Sequence, residues 1–538
     1  MRSRTIWPAL LASLVASGCT VGPNYKRPSL WSPASWGGFD RHEPVVAHAG
    51  RGKPAVTVKS VTVESPPDPR WWDQFKDAEL SALEGRVARN NLDVRLSTIR
   101  LIESRAQLQQ TTASRYLSLN GTASYTREQF SAKEFQRGLQ NANTPNGLGR
   151  LFGYNSNFNS QGVRQELGSL QIPPVDIWQD GIDASWELDL WGRIRRSIEA
   201  AKATLQASRE DQRSTLVTEF AEVARDYMTL RGQQAQLAIL RDNRRVAQES
   251  VDLTRTRYRG GLTTELDVEN AVSQLDSVVS QIPDAEQQIA QQINAIGLLL
   301  GEPPQALRTE LESAAPIPPV PPRVPVGVPS ELARRRPDIR EAEAQLHTAT
   351  ASVGVAVASF YPRITLSGAL NFNALSPRDL GFWSAAAYSF GPSISLPIFQ
   401  GGQLSGQLQL NEARQQESAV NYQRTVLQAW RDVDNALTAY TAEQRKHDAL
   451  ERSVASYQRA LVLARQQYAS GLQTFLNVLD AERGLFDARG QLVSSTTSIS
   501  SDLVQLYNAL GGGWETAFPE APTANADGPG ADGKRAGL

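Results

Sequence analysis

One stretch of this chain occurs twice, and its two copies are separated by a constant 210 residues. Residues 254–275 (TRTRYRGGLTTELDVENAVSQL) match the stretch at 463–485 (LARQQYASGLQTFLNVLDAERGL), and the register between them needs no gap. The identical pairs are Tyr258/Tyr468, Gly261/Gly471, Leu262/Leu472, Thr264/Thr474, Leu266/Leu476, Val268/Val478, Ala271/Ala481 and Leu275/Leu485. Self-similarity at a fixed spacing indicates an internal duplication.

A seven-residue apolar repeat follows the central glycine of each copy. Its members are Val268, Leu275, Ile282, Ile289 and Ile296 in the first copy, and Val478, Leu485, Leu492, Ile499 and Leu506 in the second. A strict heptad keeps one seam of a helix against a partner helix and imposes a left-handed supercoil. The pattern therefore predicts two antiparallel coiled-coil hairpins that turn at Gly261 and Gly471.

A long helix precedes each predicted turn, and a shorter one follows it. Gly232 is the only breaker within 192–259, so a single helix there would be roughly 100 Å long at about 1.5 Å per residue. A matching helix is predicted over 402–469. The helix after the first turn should cover 264–300, with a kink at Pro283.

Strict alternation of apolar and polar residues predicts four strands, two in each half of the chain. Each half then has the order helix, strand, loop, strand, long helix, tip, helix, and the first helix should run from Trp71 to about Ser114. The loop over about 127–178 is polar and rich in Asn and Gly, and it should face outward from the cell. The apolar members of the strands are Leu117, Leu119, Ala123 and Tyr125; alternate residues of 182–190; Ile364, Leu366, Leu370 and Phe372; and Phe390, Ile394, Leu396 and Ile398.

These strands have the length and alternation of transmembrane β-strands, although a strand of a soluble sandwich can show the same alternation. Four strands cannot close a barrel, and an open sheet edge in lipid leaves N–H and C=O groups unsatisfied. Two chains would give a barrel filled with side chains, whereas three chains would give twelve strands and room for a pore.

Composition excludes several classes of protein. A net charge of −1 gives no electrostatic basis for nucleic-acid binding, and the four scattered histidines give no metal-ligand spacing. No Gly-rich phosphate loop is present, so the chain should not hydrolyse ATP or GTP. Glu187 and Asp189 could form the paired carboxylates of a glycosidase, but two polar residues that face a pore are the favoured interpretation.

The N-terminus is typical of a secretory signal, with Arg2 and Arg4 before a short apolar core and small residues before Cys19. Cys19 is the only cysteine, which excludes an internal disulfide. The junction resembles a bacterial lipoprotein signal with Cys19 as the acylated first residue, while the alternative is an ordinary signal peptide with an incidental cysteine. Thr20 follows the cysteine, and this favours the outer membrane.

Several motifs are similar to those of the outer-membrane factor family of TolC-like export ducts, and most of all to its OprM/NodT-type lipoprotein branch. They are CTVGPNYKRP (19–28), WWDQFKDAEL (71–80), DASWELDLWGRIRRSIEAA (183–201), RRRPDIREAEAQL (334–346), ASFYPRITLSG (358–368), SLPIFQGGQL (395–404) and LYNALGGGW (506–514). The resemblance implies a mainly α chain with a membrane β-barrel part. It implies a homotrimer whose 12-stranded barrel is continuous with a periplasmic α-barrel. It also implies two partners, a periplasmic adaptor (membrane fusion protein) and an inner-membrane pump of the resistance-nodulation-division type. No cofactor is expected.

Six segments are expected from these patterns. They are a lipoprotein signal peptide (1–18), an extended equatorial segment (19–70), the first repeat (71–301), a proline-rich linker (302–329), the second repeat (330–513) and a flexible tail (514–538).

The tips of the two hairpins are the predicted functional site. The adaptor is expected to dock at Gly261, Leu262, Thr264, Gly471, Leu472 and Thr474, although the two glycines could be ordinary helix caps. The gate of the duct is expected at Leu476, Asn477 and Asp480, which share a helix face, with a contribution from Asp267. The alternative is that Asp480 only pairs with Arg483. The rival function is a periplasmic coiled-coil adaptor or scaffold without a pore.

Overall fold

The computed structural model of the protein describes residues 20–29, 33, 36, 60–129 and 174–518. Cys19, most of the predicted outward loop and the tail after residue 518 lie outside the described residues. The α-helices are α1 (Ala78–Asn90), α2 (Leu92–Ala113), α3 (Arg193–Arg259), α4 (Glu265–Leu299), α5 (Arg308–Leu311), α6 (Pro329–Arg335), α7 (Pro337–Ala358), α8 (Gln403–Ala469), α9 (Phe475–Leu510) and α10 (Trp514–Ala517). The strands are β1 (Val61–Val63), β2 (Ser118–Glu128), β3 (Val175–Leu188), β4 (Arg323–Pro325), β5 (Arg363–Ala374) and β6 (Ala386–Ser395).

Two compact units are formed by the described residues. One contains the segments Gln109–Glu199 and Ala351–Asn411, together with residues before Tyr25, and it holds the larger sheet. The other contains the segments Tyr25–Leu108 and Ala200–Thr350, together with residues after Asn411, and it holds both hairpin turns.

The larger sheet has the antiparallel order β2-β3-β5-β6, so the two repeats meet at β3 and β5. Gly121, Ile182, Leu370 and Tyr388 are partners in one row across the four strands. Because side chains alternate along a strand, the predicted apolar residues share one face of this sheet.

Several strand boundaries differ from the sequence prediction, and two of the predicted strand residues, Leu117 and Leu190, lie just before β2 and just after β3. β3 begins at Val175 instead of 182, because its first residues pair with the end of β2, where Glu128 lies opposite Val175. β6 ends at Ser395, so Leu396 and Ile398 follow the strand instead of belonging to it. Ser395 lies opposite Arg363, the first residue of β5, so β5 offers Leu396 and Ile398 no strand residues to pair with.

The helix predicted from Trp71 to Ser114 is wrong as a single element. A short 3-10 helix (Trp71–Phe75) comes first, and Asn91 then separates α1 from α2. The Asn91 side chain accepts hydrogen bonds from the amides of Asp93 and Val94 (2.8 and 2.9 Å), which caps α2. Its amide nitrogen donates to the carbonyl of Leu299 (2.8 Å) at the end of α4.

The second repeat contains the same break. Arg336 separates α6 from α7 and donates to the carbonyl of Ala509 at the end of α9 (2.7 Å). Leu299 and Ala509 are equivalent under the 210-residue offset, so each repeat holds its helix break on the last turn of its own hairpin. Pro337 at the start of α7 occupies a position where its missing N–H costs no helix bond.

The long helices match the predicted lengths. α3 and α8 both have 67 residues, and α4 continues through Pro283 without interruption. In each shorter helix the heptad residues lie on the buried side: Val268, Ile289, Ile296, Val478, Leu485, Ile499 and Leu506 are buried, while Leu275, Ile282 and Leu492 are partly buried against the same cores. The mainly α, two-repeat fold predicted from the sequence is confirmed.

Candidate gate at the two hairpin tips

Both hairpins turn through the same backbone motif. In the first, the amide of Gly261 bonds to the carbonyl of Tyr258 (2.9 Å) and the amide of Leu262 bonds to the carbonyl of Arg257 (2.9 Å). In the second, Gly471 and Leu472 bond in the same way to the carbonyls of Tyr468 and Gln467. This is the Schellman pattern, which satisfies the last carbonyls of a helix with a left-handed residue after it.

The turn glycines are required by their backbone angles. Gly261 has φ 69° and Gly471 has φ 75°, while a Cβ atom added at either position would meet no atom within 4 Å. Space is therefore available for a side chain, but an L-residue at positive φ is strained. Thr264 and Thr474 then begin the returning helices as extended N-cap residues.

Leucines project into solvent at matched places on the two tips. Leu262 and Leu472 directly follow the turn glycines, and Leu266 and Leu476 lie in the first turn of the returning helices. All four side chains are more than half exposed. Exposed apolar clusters that carry polar neighbours are typical of protein-docking surfaces.

The predicted gate residues Leu476, Asn477 and Asp480 all lie on the exposed side of α9, opposite the buried Val478 and Leu479. Asn477 donates its side-chain amide to Gln473. Asp480 makes no hydrogen bond or ion pair in the described part of the chain. Its role in a gate stays a prediction.

The alternative partner of Asp480 is engaged elsewhere. Arg483 donates through Nε to Gln274 Oε1 of α4 (2.9 Å), and no ion pair links it to Asp480 among the described residues. Asp267 in the first hairpin is half-buried and accepts a hydrogen bond from the Thr263 hydroxyl. The structure thus leaves Asp480 accessible and holds Asp267 within its own turn.

The two tips differ most at their shared tyrosine. Tyr258 is 46% exposed, whereas Tyr468 is 3% exposed and packs on Phe475 (ring centroids 5.5 Å apart). The Tyr468 hydroxyl donates to Thr263 Oγ1 (3.2 Å), and the Arg257 guanidinium lies 4.7 Å from its ring centroid. Tyr468 therefore belongs to the contact between the two hairpins, while Tyr258 does not.

The chain combines pairs of long helices, whose hairpin turns are exposed, with a four-stranded sheet. This combination is the architecture of a known class of membrane protein. The outer membrane efflux protein family matches residues 84–302 and 328–512, which is well over half of the chain. This chain belongs to that family.

Relatives and solved structures agree with this assignment. The probable outer membrane lipoprotein SilC of Salmonella typhimurium is 30% identical over 501 residues, covering 93% of this chain and 97% of SilC. The toluene efflux pump outer membrane protein TtgI of Pseudomonas putida is 31% identical over 510 residues, covering 94% of this chain and 98% of TtgI. The solved outer-membrane channel OprN has a TM-score of 0.77 at 30% identity, covering 92% of this chain and 100% of OprN.

The protein is therefore an outer-membrane efflux channel, and the alternative of a pore-less adaptor is wrong. Among the described residues, none of the helices is long and apolar enough to cross a membrane. The family is one of efflux proteins rather than enzymes, and the relative TtgI is named as part of an efflux pump.

The two carboxylates that could have suggested a glycosidase are both engaged in structural contacts. Arg193 holds both oxygens of Glu187 (2.9 and 2.6 Å). Asp189 accepts from the amides of Ile194 and Arg195 (3.1 and 2.8 Å), which caps the start of α3. Neither carboxylate is available to a substrate in this arrangement.

One group of side chains in the described part of the chain has the composition of a metal site. His447, Asp448 and Glu451 lie on α8, with possible ligand atoms within 4.8 Å of one another. His447 Nε2 also contacts Thr496 Oγ1 (3.2 Å). The spacing of the histidines in the sequence does not reveal this group, whose signal is the i, i+1, i+4 spacing of His447, Asp448 and Glu451 on one helix.

A buried ion pair behind the tips is a second feature that was not predicted from the sequence. Glu482 of α9 is 1% exposed and accepts from Arg465 of α8 (2.9 Å) and from Ser250 of α3. The signal was present, because Glu482 lies between the buried Val478 and Leu485 at the i+4 position of an otherwise apolar stripe.

Proposed function

We propose that three copies of this chain form the passive outer-membrane duct of a tripartite efflux system. The carrying observation is the sheet itself, in which β2 and β6 each have one edge that pairs with no strand among the described residues. Unpaired backbone groups at a sheet edge are costly in lipid, so β6 of one copy should pair with β2 of the next. Three copies give twelve strands, enough to surround a pore.

The apolar face of this sheet supports its position in lipid. Leu119 and Tyr125 on β2, and Tyr388, Phe390 and Ile394 on β6, are all at least half exposed in the single chain. A lipid-facing band of this kind alternates with polar residues that face the lumen.

The hairpin tips supply the partner site in this proposal. A periplasmic adaptor would bind the exposed leucines at Leu262 and Leu472, beside Gly261, Thr264, Gly471 and Thr474, and an inner-membrane pump of the resistance-nodulation-division type would supply the energy. The two tips share one backbone form, so one type of adaptor surface could recognise both. Drugs or other small molecules would pass through the duct, with selection made by the pump.

The gate would be formed by the second hairpin. In a trimer Leu476 would narrow the opening, and Asp480, which is exposed and without an ion pair among the described residues, would form a ring of charge selective for cations. Asn477 is uncharged, so the ring at that level carries no negative charge. Asp267 would contribute from the first hairpin. The test is single-channel conductance in planar bilayers, where Leu476→Ala with Asp480→Ala should raise conductance severalfold. The matched control is Leu266→Ala with Asn270→Ala at the equivalent positions of the first hairpin, which should leave conductance unchanged.

Assembly can be tested by cross-linking the proposed edges. Thr122→Cys on β2, combined in turn with Ser389→Cys, Ser393→Cys or Ser395→Cys on β6, should give covalent trimers and no larger species in at least one combination. The control pair is Ser124→Cys with Gln179→Cys, which lie opposite each other on β2 and β3 and should link only within one chain. A covalent dimer or tetramer as the end product would contradict the proposal.

A further inference from the structure

A line of alternating charges joins the first hairpin to the second, behind the tips. It begins at α9, follows three residues of α3, passes to α8 and ends on α9 again. The contacts are Arg489–Asp242 (2.7 Å), Asp242–Arg245 (2.7 Å), Arg245–Glu249 (2.6 Å), Glu249–Arg465 (3.4 Å) and Arg465–Glu482 (2.9 Å).

Burial changes sharply along this line. The Glu249 side chain is 49% exposed, as is usual for an ion pair that contributes little to stability. The Glu482 side chain is 1% exposed and lies in the apolar seam formed by Val478 and Leu485. Glu482 is therefore the only buried carboxylate in this line of charges.

Glu482 is also incompletely satisfied. Its Oε1 atom receives both hydrogen bonds, from Ser250 and from Arg465 Nη2, whereas Oε2 is enclosed and has no hydrogen-bond partner among the described residues. Arg465 Nε is enclosed and without a partner in the same way. A well-formed buried ion pair satisfies both oxygens and all donors, so this pair is far from its most stable geometry.

The enclosed Oε2 atom of Glu482 affects the stability of the contact between the hairpins, because separation of the hairpins would change its hydration. A buried charged oxygen without a donor is unfavourable relative to a hydrated one. Ser250 lies on the first hairpin, while Arg465 and Glu482 lie on the second. Movement of the second hairpin away from α3 would open this contact to water and hydrate Oε2. Burial raises the pKa of Glu482, despite the hydrogen bonds from Ser250 and Arg465 that lower it, and this agrees with an environment that disfavours the charge.

We propose that Glu482 is a positioning residue of the gate, a buried and half-satisfied carboxylate whose hydration favours separation of the second hairpin from the first. The closed pair of hairpins is then less stable than its packing alone would make it, which reduces the work that a partner must do to open the channel. This inference rests on the proposed function, in which the second hairpin gates the duct.

Opposite effects of two substitutions test the idea. Glu482→Gln keeps the shape and the acceptor oxygen that Ser250 and Arg465 use but removes the buried charge. Desolvation of a carboxylate costs more than that of the neutral amide nitrogen that would replace Oε2, so open probability in planar bilayers should fall about tenfold. Arg465→Met leaves the carboxylate with Ser250 alone and should raise open probability. Arg465 also donates to the carbonyl of Val246 on α3 (3.1 Å), so in the double variant loss of the charge should reduce the effect of Arg465→Met without abolishing it.

A pair that only braces the hairpins gives a different pattern. In that case both single variants would raise the open probability, and the open probability of the double variant would be at least as high as that of either single variant. This result would overturn the proposal. An unchanged open probability in Glu482→Gln would also overturn it. Glu269→Gln, an exposed carboxylate of the first hairpin, is the control for a general effect of charge.

The gate itself is checked in the same experiment. If Leu476→Ala with Asp480→Ala raises conductance but the Glu482 and Arg465 variants do not act in opposite directions, only the role of Glu482 is wrong. If the Leu476 and Asp480 variant has no effect, the proposed gate and the role of Glu482 both fail. Migration of every variant as the wild-type oligomer, with an unchanged unfolding temperature for Glu269→Gln, establishes that folding is intact.

Discussion

Tyr468 donates its hydroxyl hydrogen to Thr263 Oγ1 across 3.2 Å and so ties the second hairpin tip to the first. Arg257 strengthens this tie, since its Nη1 atom donates to the carbonyl of Ala469 (2.8 Å) while its guanidinium lies over the tyrosine ring. Among the described residues of the single chain, Tyr258 of the first repeat makes no equivalent hydrogen bond, and its side chain is about half exposed.

Removal of the Tyr468 hydroxyl should therefore loosen the gate. Tyr468→Phe loses one hydrogen bond, worth about 1 kcal/mol net, so the open probability should rise severalfold in bilayers. Tyr258→Phe is the matched control at the equivalent position and should behave as wild type. Equal effects of the two substitutions would mean that the contact with Thr263 does not restrain the tip.

The turn glycines should be sensitive to substitution because of their positive φ angles rather than lack of space. Gly261→Ala and Gly471→Ala should each lower the free energy of unfolding by about 1 kcal/mol. Gly406→Ala inside α8, where an added Cβ also meets no atom within 4 Å, should instead stabilise the protein by up to about 1 kcal/mol. Thermal unfolding followed by circular dichroism at the helix band would distinguish these opposite signs.

Trp514 fixes the C-terminal end of the described chain. It is 3% exposed, with the guanidinium groups of Arg213 and Arg340 at 4.3 and 5.4 Å from its ring centroid. Both arginines also pair with the buried Glu210 (2.8 and 3.0 Å). Trp514→Ala should cost about 3 kcal/mol through the cavity and the lost cation–π contacts.

The control for Trp514 is Trp383→Ala, since Trp383 is mostly exposed. Chemical unfolding of the two variants should show a lowered midpoint only for Trp514→Ala. A wild-type midpoint for that variant would mean that the C-terminal contact does not contribute to folding.

Glu341 on α7 should make stability depend on pH. Burial, with repulsion from Asp211 and Asp338, raises the pKa of Glu341 from 4.5 to about 7. Between these values the folded protein holds more protons than the unfolded chain, so the free energy of unfolding falls as pH rises. Glu341→Gln should match wild type at about pH 4 and exceed it at about pH 8 by about 1 kcal/mol, after allowance for solvent screening. Glu417→Gln, an exposed carboxylate of α8, should show the wild-type slope.

Cys19 is expected to carry a lipid, as the signal-like N-terminus and the name of the relative SilC, a probable outer membrane lipoprotein, suggest. Cells labelled with radioactive palmitate should incorporate label into the wild-type protein and not into Cys19→Ser. Because the proposed barrel would anchor the trimer independently, the variant is expected to reach the outer membrane. Label on the Cys19→Ser protein would show that the lipid is attached elsewhere.

The periodicity of the sequence predicted the long helices, the two turns and the alternating faces of the strands. A heptad or a two-residue alternation depends only on local geometry, so it can be recognised without knowledge of partners. Gly261 and Gly471 could be identified as the turns for the same reason, since a left-handed residue after a helix is a local requirement.

Element boundaries depended on contacts that are distant in sequence. Asn91 ends a helix that the apolar pattern continues, because its side chain reaches the carbonyl of Leu299, 208 residues away. The start of β3 at Val175 depends on pairing with Glu128, across a segment that the sequence pattern assigns to a loop. Neither partner can be identified from the local sequence.

The candidate site shows the same division. Tyr258 and Tyr468 each stand three residues before a turn glycine and belong to the same backbone motif, so the sequence by itself determined two tips with the same backbone. Only the tertiary structure decided that Tyr468 is buried against the first hairpin and that Tyr258 is not. It also decided that the Glu482 carboxylate is buried where the second hairpin packs on α3. The physical reason is that burial depends on which helix packs beside a residue, and a duplicated sequence repeats its local geometry but not its neighbours.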